Sequence, residues 1–215
     1  VESDEKHVES GAVEPVVAEV ADNILVMIIR TVLGVFYYSI SNNGGKSWGQ
    51  SRKSNIKSSY SPAVLQKLND GRILLVWNNC SGMPMRGLRY SMARQCLHAA
   101  ISDDGLKSLQ GARIIVQKDT GDPDNVLNCY PFSAPANEND VYLRIMTVQT
   151  KDGEDWSDPG AKLLSVNTDF LYEHCLKSIR DDIDIKESDG KPGYAFFNFP
   201  YGQKGMLKIK YDNLT

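Results

Sequence analysis

Ser41-Asn42-Asn43-Gly44-Gly45-Lys46-Ser47-Trp48 and Ser102-Asp103-Asp104-Gly105-Leu106-Lys107-Ser108-Leu109 align without a gap. A shorter third copy is Thr150-Lys151-Asp152-Gly153-Glu154-Asp155-Trp156. The copies begin at residues 41, 102 and 150, so they are spaced 61 and 48 residues apart, the interval of repeated four-stranded units. Each motif has the composition of a tight turn. Short polar side chains bond the turn backbone, Gly accepts a positive φ, and the closing Trp or Leu packs inward.

Outward from these turns, short apolar runs alternate with turn residues. Runs at 15–20, 24–30 and 33–40 lead into the first motif, and 97–101 leads into the second, with 112–116 after it. Runs at 62–68 and 72–77 flank Asn69-Asp70-Gly71, a hairpin signal, and 141–148 follows Asn139-Asp140. Val, Ile, Leu and Tyr dominate the runs, which predicts an antiparallel all-β protein. Residues 1–11 are polar and charged and read as a tail. In the C-terminal part, Asp169–Arg180 spaces Leu171, Cys175 and Ile179 for a short helix, and 194–199 and 206–211 read as strands.

Composition narrows the function. The chain has 215 residues and a formal net charge of −3, so no overall field draws it to nucleic acid or an anionic membrane. Its longest apolar run, Ile24–Ile29, is far below the ~20 residues of a membrane span. Cys80, Cys96, Cys129 and Cys175 are widely separated with no CxxC pair, which argues against zinc, and no cofactor motif of the G-x-G-x-x-G or P-loop kind occurs. No G-x-S-x-G setting supports a serine triad. His98 alternates with strand neighbours and reads as a packed residue. The triplets Asn79-Cys80-Ser81 and Asn213-Leu214-Thr215 fit the glycosylation pattern, but such triplets arise often by chance. Compartment and oligomeric state stay open.

The octapeptides resemble the Asp-boxes of sialidases and related β-propellers, with Asn43 in place of the usual Asp and Leu109 in place of Trp. Further matches follow in family order over roughly residues 11–150. Glu14-Pro15 opens a strand, a turn follows, and the next strand ends in Arg30, sixteen residues after Glu14. Two strands joined by a tight turn return these residues to one end of a hairpin. Ser61–Asn78 is similar to the next unit, an inner strand and hairpin ending in Trp77-Asn78. Arg94–Ser102 is similar to the strand that brings a second substrate-binding Arg. Cys129–Ala136 resembles the strand that starts with the family's nucleophilic Tyr, which maps to Tyr130.

The resemblance implies a truncated six-bladed sialidase-type propeller of four-stranded antiparallel blades. Its blades would occupy 12–160, with 161–215 an incomplete C-terminal blade. The implied partner is a sialoside or another acidic glycan, and the implied activity is retaining hydrolysis. Arg30 and Arg94 would grip the sugar carboxylate bidentately, as Lys cannot. Tyr130 would be the nucleophile and Glu14 the base that takes its proton, since a phenol near pKa ~10 needs one. Arg86 and Arg89 are alternatives to Arg94, and Tyr130 can also be read as a packed strand residue. A six-bladed propeller of ~50 residues per blade needs ~300 residues. The family's first arginine and its general-acid Asp have no counterpart ahead of Glu14. The expectation is therefore a fragment, a gene that lost parts, or blades supplied from elsewhere. A non-catalytic carbohydrate-binding propeller is the competing reading.

Overall fold

The computed structural model describes residues 12–79, 94–117, 126–137, 139–151, 155–169 and 171. They form eleven strands in three antiparallel sheets. The first sheet has the order β1 (Val13–Ala21), β2 (Ile24–Arg30), β3 (Val35–Ser41) and β4 (Arg52–Lys57). The second has β5 (Val64–Lys67), β6 (Ile73–Trp77), β7 (Leu97–Ser102) and β8 (Gln110–Val116). The third pairs β9 (Val126–Pro135) with β10 (Asp140–Lys151) and β10 with β11 (Asp155–Asn167).

Turn chemistry sets these boundaries. Asn23 takes a φ of +59° between β1 and β2, and Gly71 takes +89° between β5 and β6. The first two octapeptides join the third and fourth strands of their sheets. In each, a Ser hydroxyl and an Asn or Asp side chain satisfy the backbone. Gly45 N–H donates to Ser41 Oγ at 2.9 Å and Ser47 N–H to Asn43 Oδ1 at 2.9 Å. Their counterparts are Leu106 N–H to Ser102 Oγ at 2.8 Å and Ser108 N–H to Asp104 Oδ1 at 2.9 Å. The third copy behaves differently. Thr150 pairs with Trp156 and Lys151 with Asp155, so the segment is the hairpin end joining β10 and β11. It thus joins the second and third strands of its sheet, where the first two octapeptides join the third and fourth. The 141–148 run is part of the longer β10, which extends to Lys151, and β11 carries the third sheet on to Asn167.

First strands lie side by side, β1 against β5 and β5 against β9, so the sheets spread from a shared inner line. Apolar side chains fill the two gaps between sheets. Ile28 and Phe36 of the first sheet meet Leu75, Trp77 and Ala100 of the second. Leu74, Val76, Leu97 and Ile101 of the second meet Val141, Leu143 and Ile145 of the third. Period-two alternation explains how β6 and β7 serve both gaps: each is buried along its whole length. Trp77 also donates Nε1–H to the Lys57 carbonyl at 2.9 Å, joining the first two sheets. Helical backbone begins at Thr168, Asp169 and Leu171; the rest of the expected helix, the 194–199 and 206–211 segments and the 1–11 tail lie outside the described residues. No described helix is long and apolar enough to cross a membrane.

Candidate active site

Glu14 and Tyr130 occupy equivalent places in the outer two sheets. Glu14 and Pro15 together face the single residue Ile29, and Tyr130 and Pro131 together face Ile145. Both are β-bulges, and both residues ahead of proline have a left-handed φ, +48° at Glu14 and +49° at Tyr130. Such values are sparse for non-glycine residues and cost of order 1–3 kcal/mol each. A bulge bends its strand and re-aims a side chain. Tyr130 is thus not the start of its strand, as the motif suggests, but lies within β9 after Val126–Cys129.

A chain of contacts crosses from the first sheet to the third. Arg30, at the end of β2 and 6% exposed, donates Nη1–H to Glu14 Oε2. Its guanidinium carbon stands 3.7 Å above the centre of the Tyr60 ring, a cation–π distance. The Tyr60 carbonyl accepts from Nη2 of Arg94, which is 2% exposed. The Arg94 guanidinium in turn lies 5.5 Å from the Tyr130 ring centre. Buried Cys129 senses both cations. Burial pushes its thiol up, opposed by the charge and hydrogen bond of Arg94 and by the charge of Arg30. Among the described residues Arg30 Nε–H is buried without a hydrogen-bond partner.

Behind the cluster lies a dry polar framework. Asn78, wholly buried at the end of the Trp-Asn motif, accepts from Ser61 Oγ at 2.7 Å. Its Nδ2 donates to the carbonyls of Cys96 at 2.7 Å and Asn128 at 2.8 Å. Asn128 answers with Nδ2–H to the Gln95 carbonyl at 2.9 Å and backbone N–H to the Arg94 carbonyl at 2.7 Å. These bonds tie the entry to β7 to β9, and so set Arg94 beside Tyr130. A fully satisfied buried network of this kind holds a single arrangement.

Arg86 and Arg89 lie outside the described residues. Sequence reading passed over Tyr60, Asn128 and the placement of Cys129. One signal was present: Tyr60-Ser61-Pro62 parallels Val13-Glu14-Pro15 and Cys129-Tyr130-Pro131 in sequence, so a proline lies within β1 and β9 and just ahead of β5. His98 is buried, with its ring centre 5.8 Å from that of Trp77, and burial lowers its pKa to about 4. It sits in the gap between the first two sheets as a neutral core residue.

The BNR repeat-like domain family matches residues 3–143. No curated protein matches the chain by sequence. NanB sialidase of Streptococcus pneumoniae is similar in structure, with a TM-score of 0.51 at 16% identity, over 75% of this chain and 24% of that one. An ulvan lyase from a polysaccharide lyase family, bound to GlcA(1-4)Rha3S, gives 0.51 at 11% identity, over 72% of this chain and 38% of that one. The chain therefore spans about a quarter of the NanB length. At such identities the likeness speaks for an all-β fold of antiparallel sheets. With the repeats, the sheets and a match over most of its length, the chain belongs to the BNR repeat-like domain family.

Proposed function

We propose that this chain forms three blades of a six-bladed sialidase-type propeller and carries the carboxylate-binding part of a site for a terminal acidic sugar, sialic acid. Residues 12–160 would supply blades, the third completed by β11 as it runs on to Asn167, and the rest of 161–215 an incomplete C-terminal one. The observation that carries the reading is the gathering of two buried guanidiniums around Tyr60, Arg30 at the end of β2 and Arg94 ahead of β7, the second of them beside Tyr130. Burying two cations is costly unless an anion or a built set of partners compensates them, and a sugar carboxylate matches the guanidinium fork.

In this reading Arg30 and Arg94 hold the carboxylate on the anomeric carbon. Tyr130 Oη attacks that carbon while the glycosidic bond breaks, and the phenol proton passes to Glu14. The departing oxygen takes a proton from a general acid outside the described residues. Water then attacks the tyrosyl-linked sugar and gives its proton to the conjugate base of that acid, the bond from the sugar to Tyr130 Oη breaks, and Glu14 returns its proton to Oη. Two inversions give net retention. A neutral phenol suits this substrate because a carboxylate nucleophile would be repelled by the sugar's own charge.

The ion pair between Glu14 and Arg30 favours a second reading. A carboxylate oxygen already taken up by a guanidinium is engaged in holding the cation, as expected of a carbohydrate-binding propeller without turnover. Hydrolysis of a fluorogenic sialoside by the full-length gene product, beside Tyr130→Phe and Glu14→Gln, separates the two. Hydrolysis predicts losses of about 10²–10⁴-fold in each variant. Equal rates in all three proteins refute the assigned roles, and sialoside binding without any turnover establishes the second reading.

A further inference from the structure

Tyr60 touches both cations of the cluster through two different parts of itself. Its ring covers one face of the Arg30 guanidinium at 3.7 Å, and its main-chain oxygen accepts from Arg94 Nη2. It stands between β4 and β5, in the connection that passes from the first sheet to the second. That connection is itself fixed. Ser58 N–H donates to the Gly34 carbonyl at 3.1 Å, Ser59 N–H to the Asn78 carbonyl at 3.0 Å, and buried Ser61 bonds Asn78. Tyr60 is therefore held from both sides by neighbours anchored in separate sheets.

We infer that Tyr60 is a positioning residue that sets the spacing and plane of the two guanidiniums before an acidic sugar arrives, an inference that rests on the proposed acidic-sugar site. The physics has two parts. With Glu14 on Nη1 and an aromatic ring on one face, Arg30 is limited to one plane and offers its edge to the ligand. Arg94 is tethered to a backbone atom of the same residue, so any displacement of Tyr60 moves both cations together. Preorganised donors lose less side-chain freedom when the ligand binds, and that saving appears as affinity. The face covered by Tyr60 is closed to solvent and ligand, which directs a planar carboxylate to the guanidinium edge, where two parallel hydrogen bonds form.

The test uses the full chain with Tyr60→Phe, which keeps the ring, Tyr60→Leu, which removes it, and Arg30→Gln. Two readouts are taken. The first is the side-chain N–H resonance of Arg30 by nitrogen-edited NMR without ligand. The Tyr60 ring current shifts it in the wild type and in Tyr60→Phe, and the shift disappears in Tyr60→Leu. The second is binding of N-acetylneuraminic acid and of glucuronic acid by titration calorimetry. Tyr60→Phe binds within about threefold of wild type, whereas Tyr60→Leu binds about tenfold more weakly. Thermal melting run in parallel identifies a variant that has failed to fold. If the Arg30 resonance is the same in Tyr60→Leu, or if Tyr60→Leu binds as wild type while Arg30→Gln does not, the inference is overturned and the acidic-sugar site stands. If the wild type binds neither acid, the acidic-sugar reading fails and takes the inference with it.

Discussion

His98 makes the stability of this protein fall on mild acidification by an amount that can be worked out. The side chain is 6% exposed, and burial lowers its pKa from 6.5 to about 4. Its Nδ1 has no hydrogen-bond partner among the described residues, and Trp77 flanks it with the rings tilted at 43°. Because the folded value lies below the unfolded one, the unfolded chain takes up the proton first as the pH drops. The stabilising contribution is whole above about 6.5, declines as the pH falls below that, and stops declining below about 4. Integrating proton uptake between pH 7 and pH 5 for these two values gives a loss of about 2 kcal/mol. With a urea dependence of about 2 kcal/mol per molar, the unfolding midpoint moves down by about 1 M from this residue alone. Other groups titrate in the same range, so the measured quantity is a difference between proteins. Urea unfolding of wild type, His98→Phe and His98→Gln at pH 7 and pH 5 provides it. The variants should lose about 2 kcal/mol less than wild type between the two pH values. If His98→Phe and His98→Gln lose as much as wild type, the imidazole is not held neutral by burial, and the reasoning is wrong.

Other expectations concern the framework. Asp104→Asn should change stability by only a few tenths of a kcal/mol in chemical denaturation, because Asn43 fills the same role in the first octapeptide, its Nδ2 donating to Ser47 Oγ at 2.8 Å. Asp104→Ala, which strips the partner of Ser102 Oγ, Ser108 Oγ and two backbone N–H groups, should cost about 1 kcal/mol. Trp77→Phe removes the bond to the Lys57 carbonyl and part of a buried ring, and should lower stability by about 2 kcal/mol; no change would refute the cross-sheet role. Leu143→Ala opens a cavity in the core shared by the second and third sheets and should cost about 3 kcal/mol by the same measurement. Gly105 has a φ of +73°, and an added Cβ would meet Val20 at 3.4 Å, so Gly105→Ala should cost about 1 kcal/mol.

Much of the architecture was legible because local chemistry and tertiary structure agree in it. Asn69-Asp70-Gly71, the first two octapeptides and the apolar runs beside them each satisfy their own backbone, so their meaning does not depend on distant neighbours. In the Thr150–Trp156 segment the turn was legible, but its place in the sheet was not. Its composition suits the repeat, yet the ladder from Thr150 to Trp156 makes it a hairpin end, a matter of pairing that composition does not encode. At the site, the spacing of Glu14 and Arg30 was visible because one hairpin returns them to the same place. Tyr60 and Asn128 were not visible, since their partners come from three sheets and stand up to 50 residues away in sequence. The prolines after Glu14, Ser61 and Tyr130 were readable, but the bulges at Glu14 and Tyr130 emerge only from register.

The paired kinks before Pro15 and Pro131 separate display from identity. At both stations the main chain, through its left-handed turn, decides where the side chain goes, whatever that side chain is. The central sheet lacks this twist: Ser61, also followed by proline, is wholly buried and turned onto Asn78. The scaffold therefore has two outward mounts flanking one inward anchor. Transposing the carboxylate and the phenol, by Glu14→Tyr with Tyr130→Glu, would exchange the two side chains while leaving the mounts where they are.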